Sequence, residues 1–425
     1  MALKVGELFA SFDLDASGMT GTIRTIETQL EGIGADMIRA GSTLSSMVTD
    51  PLKGIGKSIL SAGMDFTSQM SRVEAISGAS AAEMEKLNAE ALKMGSTTQF
   101  TATEAGQALE YMAMAGWKTS AMINGLEPIM NLAAASGENL ADVSDIVTDA
   151  MTAFGLEAKK ENIARFSDVL AQAASNSNTN VGLMGETFKY VAPVAGALGY
   201  NIEDAAIAIG LMANAGIKGS QSGTALRALL TRLSKPTKEV KTAMKELGLS
   251  MTTSTGEMKP LRQLMTEMRG KFSGLTEQEK ALYAATLAGQ EGMSGLLAIV
   301  SASDKDFNKL AASIDNCEGA TGRMAATVLA NAKGDWTLFQ SAVEGTYVAL
   351  FTLNEHTIRK TIQSMTGLVD KFNALDGPMK QVILKMGILA AAIGPVLMYG
   401  GKALMLAGKI APAIAALVSP LGIVA

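Results

Sequence analysis

The sequence predicts an all-α fold, and its composition supplies the reasons. The chain has 425 residues, of which 48% are hydrophobic and only 5% aromatic, with 27 Met and 43 Gly. Its apolar residues are mainly Ala, Met, Leu and Ile, which favour helices over sheets. A chain this apolar can bury a large core, so extensive intrinsic disorder is not expected. We expect a compact helical core domain flanked by long amphipathic helices, with an apolar helical hairpin at the C-terminus.

The N-terminal segment, residues 1–65, opens with an alternating stretch at residues 5–14 that is compatible with one strand. Apolar residues then recur every three or four positions, which predicts an amphipathic helix. Such a helix suits association with copies of itself, and the candidate residues are Ile23, Ile26 and Leu30. Because proline disfavours helical geometry in the residue before it, we expect the helix to break at Asp50 and Pro51.

Residues 66–249 have the pattern of a core helical domain, with short helices separated by glycine-marked turns. Ser80 precedes Glu83 by three residues, as Thr101 precedes Glu104, and both pairs resemble capping boxes. Gly137, Gly155, Gly199 and Gly216 stand where helices should end in a left-handed turn. Short loops between such helices indicate antiparallel packing in a bundle. The predicted helices are residues 81–94, 103–115, 119–136, 140–154, 158–174, 182–198, 202–215, 220–233 and 237–247.

An internal duplication within this core is a further hypothesis. When the chain is compared with itself, residues 102–154 align with residues 181–233 without a gap. The matching positions include Tyr111 with Tyr190 and Gly137 with Gly216, so helix ends fall together. A period of this kind is the signature of a repeated supersecondary unit.

Residues 250–330 form a more polar, mixed region, with a predicted hairpin at 251–259 and helices starting at Leu261 and Glu277. Residues 331–380 then have the pattern of one long helix. Its apolar residues recur at helical spacing, which is typical of a packing surface. They are candidates for self-association: Trp336, Phe339, Val343 and Tyr347.

The C-terminal segment, residues 381–425, is strongly apolar. Residues 386–401 and 410–425 each contain no charged side chain, although each run is shorter than the roughly 20 residues that span a bilayer. Three interpretations remain open: a buried hairpin in an oligomer, a segment that is shielded and later inserts into a membrane, and a constitutive anchor. The chain ends within an apolar run, so we expect it to be part of a longer polypeptide. The candidate membrane-inserting residues are Leu389, Ile393, Leu397, Leu404, Leu406, Ile414 and Leu417.

Most enzyme classes are excluded by the lack of suitable side chains. A single His and a single Cys cannot form a His/Cys zinc site or a disulfide. Cys317 is best interpreted as a small buried hydrophobe, and the sequence GIKGSQSG at residues 216–223 as a helix-to-helix connection rather than a phosphate loop. Acid pairs such as Glu203 and Asp204 lie near helix starts, where they complement the helix dipole. We therefore expect no catalytic residues, no metal, no cofactor and no enzymatic activity.

Several longer stretches resemble one protein family. GMDFTSQMSRVEAISGAS at residues 63–80, LAAASGENLADVSDIVTDAMTAFG at 132–155, YVAPVAGALG at 190–199 and NAGIKGSQSGTALRALLTRLSKPTK at 214–238 resemble the core region of tailed-phage tail tape measure proteins. Three later segments, GQEGMSGLLAIV, NCEGATGRMAATVLAN and AAIGPVLMYGGKAL, follow in the family's order. The resemblance covers about residues 1–405.

The resemblance implies a non-enzymatic structural protein of a phage, a prophage or a phage-tail-like particle. Such a protein is made in the host cytoplasm, lies in the tail lumen in several copies, sets tail length during assembly and leaves before the DNA on infection. The implied partners are other copies in a trimer or hexamer, tail tube protein, assembly chaperones, baseplate or tail-tip proteins and, after ejection, the host inner membrane. A net charge of −5 argues against specific nucleic-acid binding.

The alternative that the sequence leaves open is a membrane-active, pore-forming or toxin-like helical protein. In that case the apolar C-terminal runs would be the active element, and no tail component would accompany the protein.

Overall fold

The structure, a computed structural model, describes residues 44–373, and this range folds into fifteen helices without a strand. The predicted all-α class is confirmed. The chain divides into two units, residues 1–353 and residues 354–425. In chain order the helices are α1 Leu44–Ser77, α2 Ala81–Thr97, α3 Ala102–Met114, α4 Thr119–Ser136, α5 Leu140–Ala153, α6 Lys160–Ser175, α7 Val181–Ala197, α8 Ile202–Asn214, α9 Gly219–Ser234, α10 Lys238–Leu247, α11 Leu261–Ser273, α12 Glu277–Ser301, α13 Asp304–Asp315, α14 Ala320–Leu329 and α15 Ala332–Asn373.

The ends of the core helices agree with the sequence prediction to within three residues. The two predicted capping boxes form, because Glu83 and Glu104 accept hydrogen bonds from the backbone N–H groups of Ser80 and Thr101. The four predicted C-terminal glycines all have positive φ angles, between 66° and 86°. Side chains with a Cβ rarely adopt this geometry, which is why glycine ends these helices.

One local prediction is wrong. The helix does not break at Asp50 and Pro51, because α1 begins at Leu44 and continues through both residues to Ser77. A proline removes one backbone donor, and a helix of 34 residues retains enough other hydrogen bonds to continue. The predicted strand at residues 5–14 and the candidates Ile23, Ile26 and Leu30 lie outside the described residues.

One hydrophobic core extends from Phe66 in α1 to Val348 in α15. At its centre α9 packs between α7 and α12 through positions that have no side chain. A Cβ at Gly223 would lie 2.6 Å from the carbonyl oxygen of Thr187, and one at Gly295 would lie 2.7 Å from the Cβ of Ala225. Glycine at these positions therefore lets the helix backbones approach closely.

The helix order keeps the duplication hypothesis open. When residues 102–154 are aligned with 181–233, the start of α3 falls on the start of α7, and the start of α5 falls on the start of α9. The middle pair differs, because Thr119, the first residue of α4, aligns with Leu198, whereas α8 begins only at Ile202.

The region after residue 249 contains the predicted hairpin in a minimal form. Thr252 and Met258 form a single antiparallel bridge, and the N–H of Lys259 donates to the carbonyl oxygen of Met251 at 2.9 Å. The helices predicted from Leu261 and Glu277 start at those residues, although the second is kinked at Gly289, where φ is 74°. Where the sequence predicts one long helix from residue 331, α15 runs from Ala332 to Asn373, and residues 374–380 of that prediction lie outside the described residues.

Candidate functional site

The apolar stripe of α15 is the predicted functional surface that the structure describes. Two of its aromatic side chains are largely exposed, Trp336 at 59% and Phe339 at 57%, and their ring centroids lie 5.5 Å apart. Val343 and Tyr347 continue the stripe and are partly buried. An exposed pair of large aromatic rings indicates a surface that is completed by another apolar partner.

A different face of α15 attaches it to the core. Val348 and Phe351 are buried, and the Phe351 ring lies so close to Gly63 of α1 that a Cβ there would overlap it. The hydroxyl of Ser341 donates a hydrogen bond to the carbonyl oxygen of Gln99 at 3.0 Å. These contacts leave the aromatic stripe turned away from the packed face.

A groove of about 470 Å³ lies between α1 and α15. Its apolar wall comes from the predicted stripe, and its opposite wall comes from small and polar residues of α1. We call this site the α1–α15 groove. It is lined by Ser58, Ser61, Ala62, Asp65, Phe339, Gln340, Val343, Glu344 and Tyr347.

The α1–α15 groove is acidic as well as apolar. Burial raises the pKa of Glu344 above its ordinary value, and the nearby carboxylates of Glu104 and Asp65 raise it further. Among the described residues, no Lys or Arg forms an ion pair with Glu344 or Asp65. A partner that carries a cationic side chain next to an apolar face would therefore complement this groove.

A larger cleft of about 1390 Å³ lies where α4, α6, α8, α11, α13 and α14 meet. Eight carboxylates and three cationic side chains line it. Arg262 binds Asp204 at 2.9 Å and Asp315 through two bonds of 2.8 and 2.9 Å, while Arg165 pairs with Glu203. The predicted role of Glu203 and Asp204 as acids at a helix start is therefore incomplete, because both are buried and ion-paired across elements.

Asp168 is the buried carboxylate at the base of this cleft, where it is only 4% exposed. It accepts hydrogen bonds from the N–H of Gly319 at 2.7 Å, and from the N–H and hydroxyl of Thr321 at 2.8 and 2.7 Å. These donors belong to the first turn of α14, whose own N-cap residue, Gly319, has no side chain. A residue 151 positions away in sequence thus caps this helix.

The single cysteine lies beside the same cleft and is buried, as the sequence predicts. Burial raises the pKa of the Cys317 thiol to about 11, with a further contribution from Asp168 and Glu203. The thiol is therefore protonated at neutral pH and is a poor nucleophile. Within residues 44–373, no group of three His, Cys, Asp or Glu side chains is placed to hold a metal ion.

The structure thus brings Phe339, Val343 and Tyr347 together in one groove and leaves Trp336 at its edge. The membrane candidates, from Leu389 to Leu417, lie outside the described residues. In the part of the chain that is described, no helix combines the length and the apolar composition of a membrane span. Sequence reasoning missed Asp168, for which the one signal is an acid directly before the apolar residues Val169 and Leu170 of α6.

Comparison with known proteins identifies related phage proteins. Residues 88–289 match the family described as phage-related minor tail protein. The chain is 33% identical to the tape measure protein of Pneumococcus phage Dp-1 over 419 residues, which cover 96% of this chain and 36% of that protein. It is 30% identical to the probable tape measure protein of Escherichia phage P2 over 340 residues, or 79% of this chain and 42% of that protein. The chain therefore spans less than half the length of these two relatives. No solved structure matches it.

Proposed function

Because the chain belongs to the family of phage-related minor tail proteins and resembles phage tape measure proteins, we propose that it sets the length of a phage tail tube during assembly. The observation that carries this proposal is the similarity to two tape measure proteins along most of the chain. The predicted order of family motifs supports the same assignment.

A length-setting role requires extended segments as well as a packed core. A helix rises about 1.5 Å per residue, so the 42 residues of α15 span about 63 Å. A fully helical chain of 425 residues would reach at most about 640 Å. If residues 66–249 stay compact, the rest of the chain reaches about 360 Å, so a longer tail would need chain beyond this length.

The rest of the role concerns the tail lumen. We propose that copies of the chain fill the lumen beside tube protein, assemble with the help of chaperones and tail-tip proteins, and leave before the DNA. The net charge of −5 supports this location, because Lys- and Arg-rich walls would retain the phosphate backbone as it passes. The role requires no catalysis.

Self-association through the aromatic stripe is the second part of the proposal. The stripe recurs at Trp336, Tyr347 and Ile358, which are evenly spaced by about three helical turns. A repeat of about this length favours bundles in which the helices are nearly straight or wind around each other with a slight right-handed twist. We expect parallel trimers or hexamers that also use Ile26 and Leu30. Replacing both of these residues by Asp should release monomers in sedimentation velocity. A wild-type chain that sediments as a monomer with intact helicity would contradict the idea.

Tail length itself provides the decisive experiment. In the parent particle, residues 355–365 of α15 are deleted, duplicated or triplicated, which changes the helix by about 16 Å per step and keeps the stripe nearly in phase. Electron microscopy should then show tail lengths that change in proportion to the number of copies. As a matched control, a Gly/Ser insert of the same length after Thr255, at the exposed tip of the hairpin, should leave tail length unchanged. A flat length series would refute a ruler role for α15.

The toxin-like alternative predicts a different set of associated proteins. Mass spectrometry of purified particles should find the chain together with tube and baseplate subunits if it is a tape measure protein. A secreted or membrane-bound chain without tail subunits would favour the alternative.

A further inference from the structure

We propose that the cleft of about 1390 Å³ between α4, α6, α8, α11, α13 and α14 binds a lysine- or arginine-bearing peptide segment of a protein partner. The cationic group of that segment contacts the carboxylate of Glu203. The tail-length role leaves this site unused, and binding measurements alone test it.

Glu203 is the buried acceptor of the site. This residue lines the cleft and is only 8% exposed, so its carboxylate has lost nearly all contact with water. Arg165 binds one carboxylate oxygen, Oε1, whereas the other, Oε2, accepts no hydrogen bond from any described residue. A buried acceptor without a donor costs free energy, and a charge-assisted hydrogen bond from an incoming ammonium or guanidinium would offset that cost.

Arg165 is the side chain that would have to move to admit a cation. Its side chain is 56% exposed, against 11% for the side chain of Glu203. An exposed arginine gains little from an ion pair, because water solvates its guanidinium and side-chain entropy opposes pairing. Arg165 can therefore turn toward solvent, and a cationic group of the partner can then reach both oxygens of Glu203.

The charge balance of the cleft favours a cation. Eight carboxylates and three cationic side chains line it. Two further cations stand just outside, because Lys259 binds Glu267 at 2.6 Å and Arg323 donates to the backbone carbonyl oxygen of Glu318 at 2.7 Å. Four helices, α6, α8, α11 and α14, begin at the cleft and α13 ends there. Each helix end adds about half a charge, positive at a start and negative at an end, so an excess of about one to two negative charges remains.

Two carboxylates at the rim of the cleft carry this excess. Glu161 and Glu318 are exposed, and neither forms an ion pair with a Lys or Arg among the described residues. Lys159, whose pKa Glu161 helps to raise, is itself bound to Glu157 at 2.8 Å. Exposed acids around a buried one attract a cation over a longer range, and the buried carboxylate then holds it.

The rest of the wall suits a peptide better than a free polyamine. The cleft is larger than the roughly 300–1,000 Å³ of a typical small-molecule site. Its wall includes the side-chain amide of Asn131, and Lys160 uses only one of its three donors on Glu127. These groups can donate hydrogen bonds to the carbonyl oxygens of a peptide, whereas a protonated polyamine has no acceptor.

Binding of short peptides to the full-length chain tests the site. The probe is the peptide Gly-Lys-Gly-Lys-Gly, amidated at its C-terminus and labelled at its N-terminus with the zwitterionic dye tetramethylrhodamine. A matched probe has acetyl-lysine at both lysine positions, which removes the two charges. Fluorescence anisotropy at low ionic strength measures the affinity of each probe.

Variants of the chain locate the binding. Glu203→Gln removes the buried charge, Glu318→Gln removes a charge at the rim, and Arg165→Gln removes the side chain that pairs with Glu203. The matched controls are Glu85→Gln and Lys86→Gln, which make the same changes of charge at exposed positions of α2, outside the cleft. Circular dichroism verifies that each variant keeps its helicity.

We expect the lysine peptide to bind at least about tenfold more tightly than the acetyl-lysine peptide. Glu203→Gln should weaken its binding by about tenfold or more and Glu318→Gln by severalfold, whereas Glu85→Gln should change it less than about twofold. Arg165→Gln should tighten binding more than Lys86→Gln does, because it frees the carboxylate of Glu203.

Equal affinities for the two peptides, or equal losses in Glu203→Gln and Glu85→Gln, would overturn the proposal. If Glu203→Gln does not fold, Arg165→Gln decides, and an affinity no higher than that of Lys86→Gln would count against the site. Putrescine, a diamine with the same two charges, should displace the probe less well than the unlabelled lysine peptide. Displacement at an equal or lower concentration would overturn the assignment to a peptide. None of these outcomes bears on the tail-length experiment, so failure of this inference is distinct from failure of the proposed function.

Discussion

Removing the carboxylate of Asp168 should loosen α14 more than any substitution of an exposed acid. In Asp168→Ala, the N–H of Gly319 lies near the surface and can bind water, whereas the N–H and hydroxyl of Thr321 are buried and lose their acceptor. An unsatisfied buried donor costs about 1–3 kcal/mol, so two donors give a loss of about 2–6 kcal/mol. The loss of an ordinary N-cap, by comparison, costs about 1 kcal/mol.

Asp168→Asn serves as the graded variant. Its amide oxygen can still accept from both donors of Thr321, but its NH₂ group faces the N–H of Gly319 and cannot accept from it. We expect a loss of about 1–1.5 kcal/mol, within the range of a single net hydrogen bond. Asp142→Ala provides the control, because this exposed acid in the first turn of α5 contributes only about 0.3–1 kcal/mol through the helix dipole.

Hydrogen exchange of the peptide that contains Ala320–Leu329, measured by mass spectrometry on the full chain, reports the local effect. A loss of about 3 kcal/mol would accelerate exchange by about two orders of magnitude, since about 1.4 kcal/mol corresponds to a factor of ten. Chemical denaturation followed by circular dichroism reports the global effect. Exchange in Asp168→Ala that stays within threefold of the wild-type rate would refute the assignment of Asp168 as the cap of α14.

Three further predictions test the core, the thiol and the C-terminus. Gly223→Val should destabilise the chain by about 1–3 kcal/mol in thermal or chemical denaturation, because its side chain would overlap the carbonyl oxygen of Thr187. Gly270→Ala is the control, because Gly270 lies in an open position on α11. This substitution should stabilise the chain by about 0.5–1 kcal/mol. At pH 8 a thiol reagent should label Cys317 far more slowly in the native chain than in the urea-unfolded chain, because the pKa of about 11 keeps the native thiol protonated. Equal labelling rates in the two states would contradict the burial of this thiol. A peptide of residues 380–425 should make liposomes leak, whereas a protein of residues 1–380 should not. Leu389→Asp or Leu397→Asp in the peptide should abolish leakage, because a charge at the centre of a membrane helix costs about 2.5–3.5 kcal/mol. Failure of the peptide to bind or permeabilise vesicles would favour a buried packing segment.

Local patterns were sufficient to predict most helices and none of the long-range polar contacts. Ser80 with Glu83, and Gly137 at the end of α4, act within one or two turns of backbone, so their neighbours in sequence are also their partners in space. The predicted break at Pro51 was wrong because a proline signal is weaker than the cooperative hydrogen bonding of a long helix.

The α1–α15 groove was predictable only in part. The spacing of Phe339, Val343 and Tyr347 along the sequence placed them on one face of a helix, as the structure confirms. The opposite wall and its acidic residue, Asp65, come from α1, the first described helix, whereas the stripe lies on the last one. No periodicity relates two segments so far apart in the chain.

The sequence by itself determined the all-α class, the ends of the core helices between residues 81 and 247, and the stripe on α15, because each depends on residues a few positions apart. Only the tertiary structure decided that Asp168 caps α14, that Arg262 joins Asp204 to Asp315, and that the stripe borders a groove rather than the core. The physical reason is that a hydrogen bond or a packing contact acts over a few ångströms in space. Which distant residues come within that range depends on how all the helices pack together.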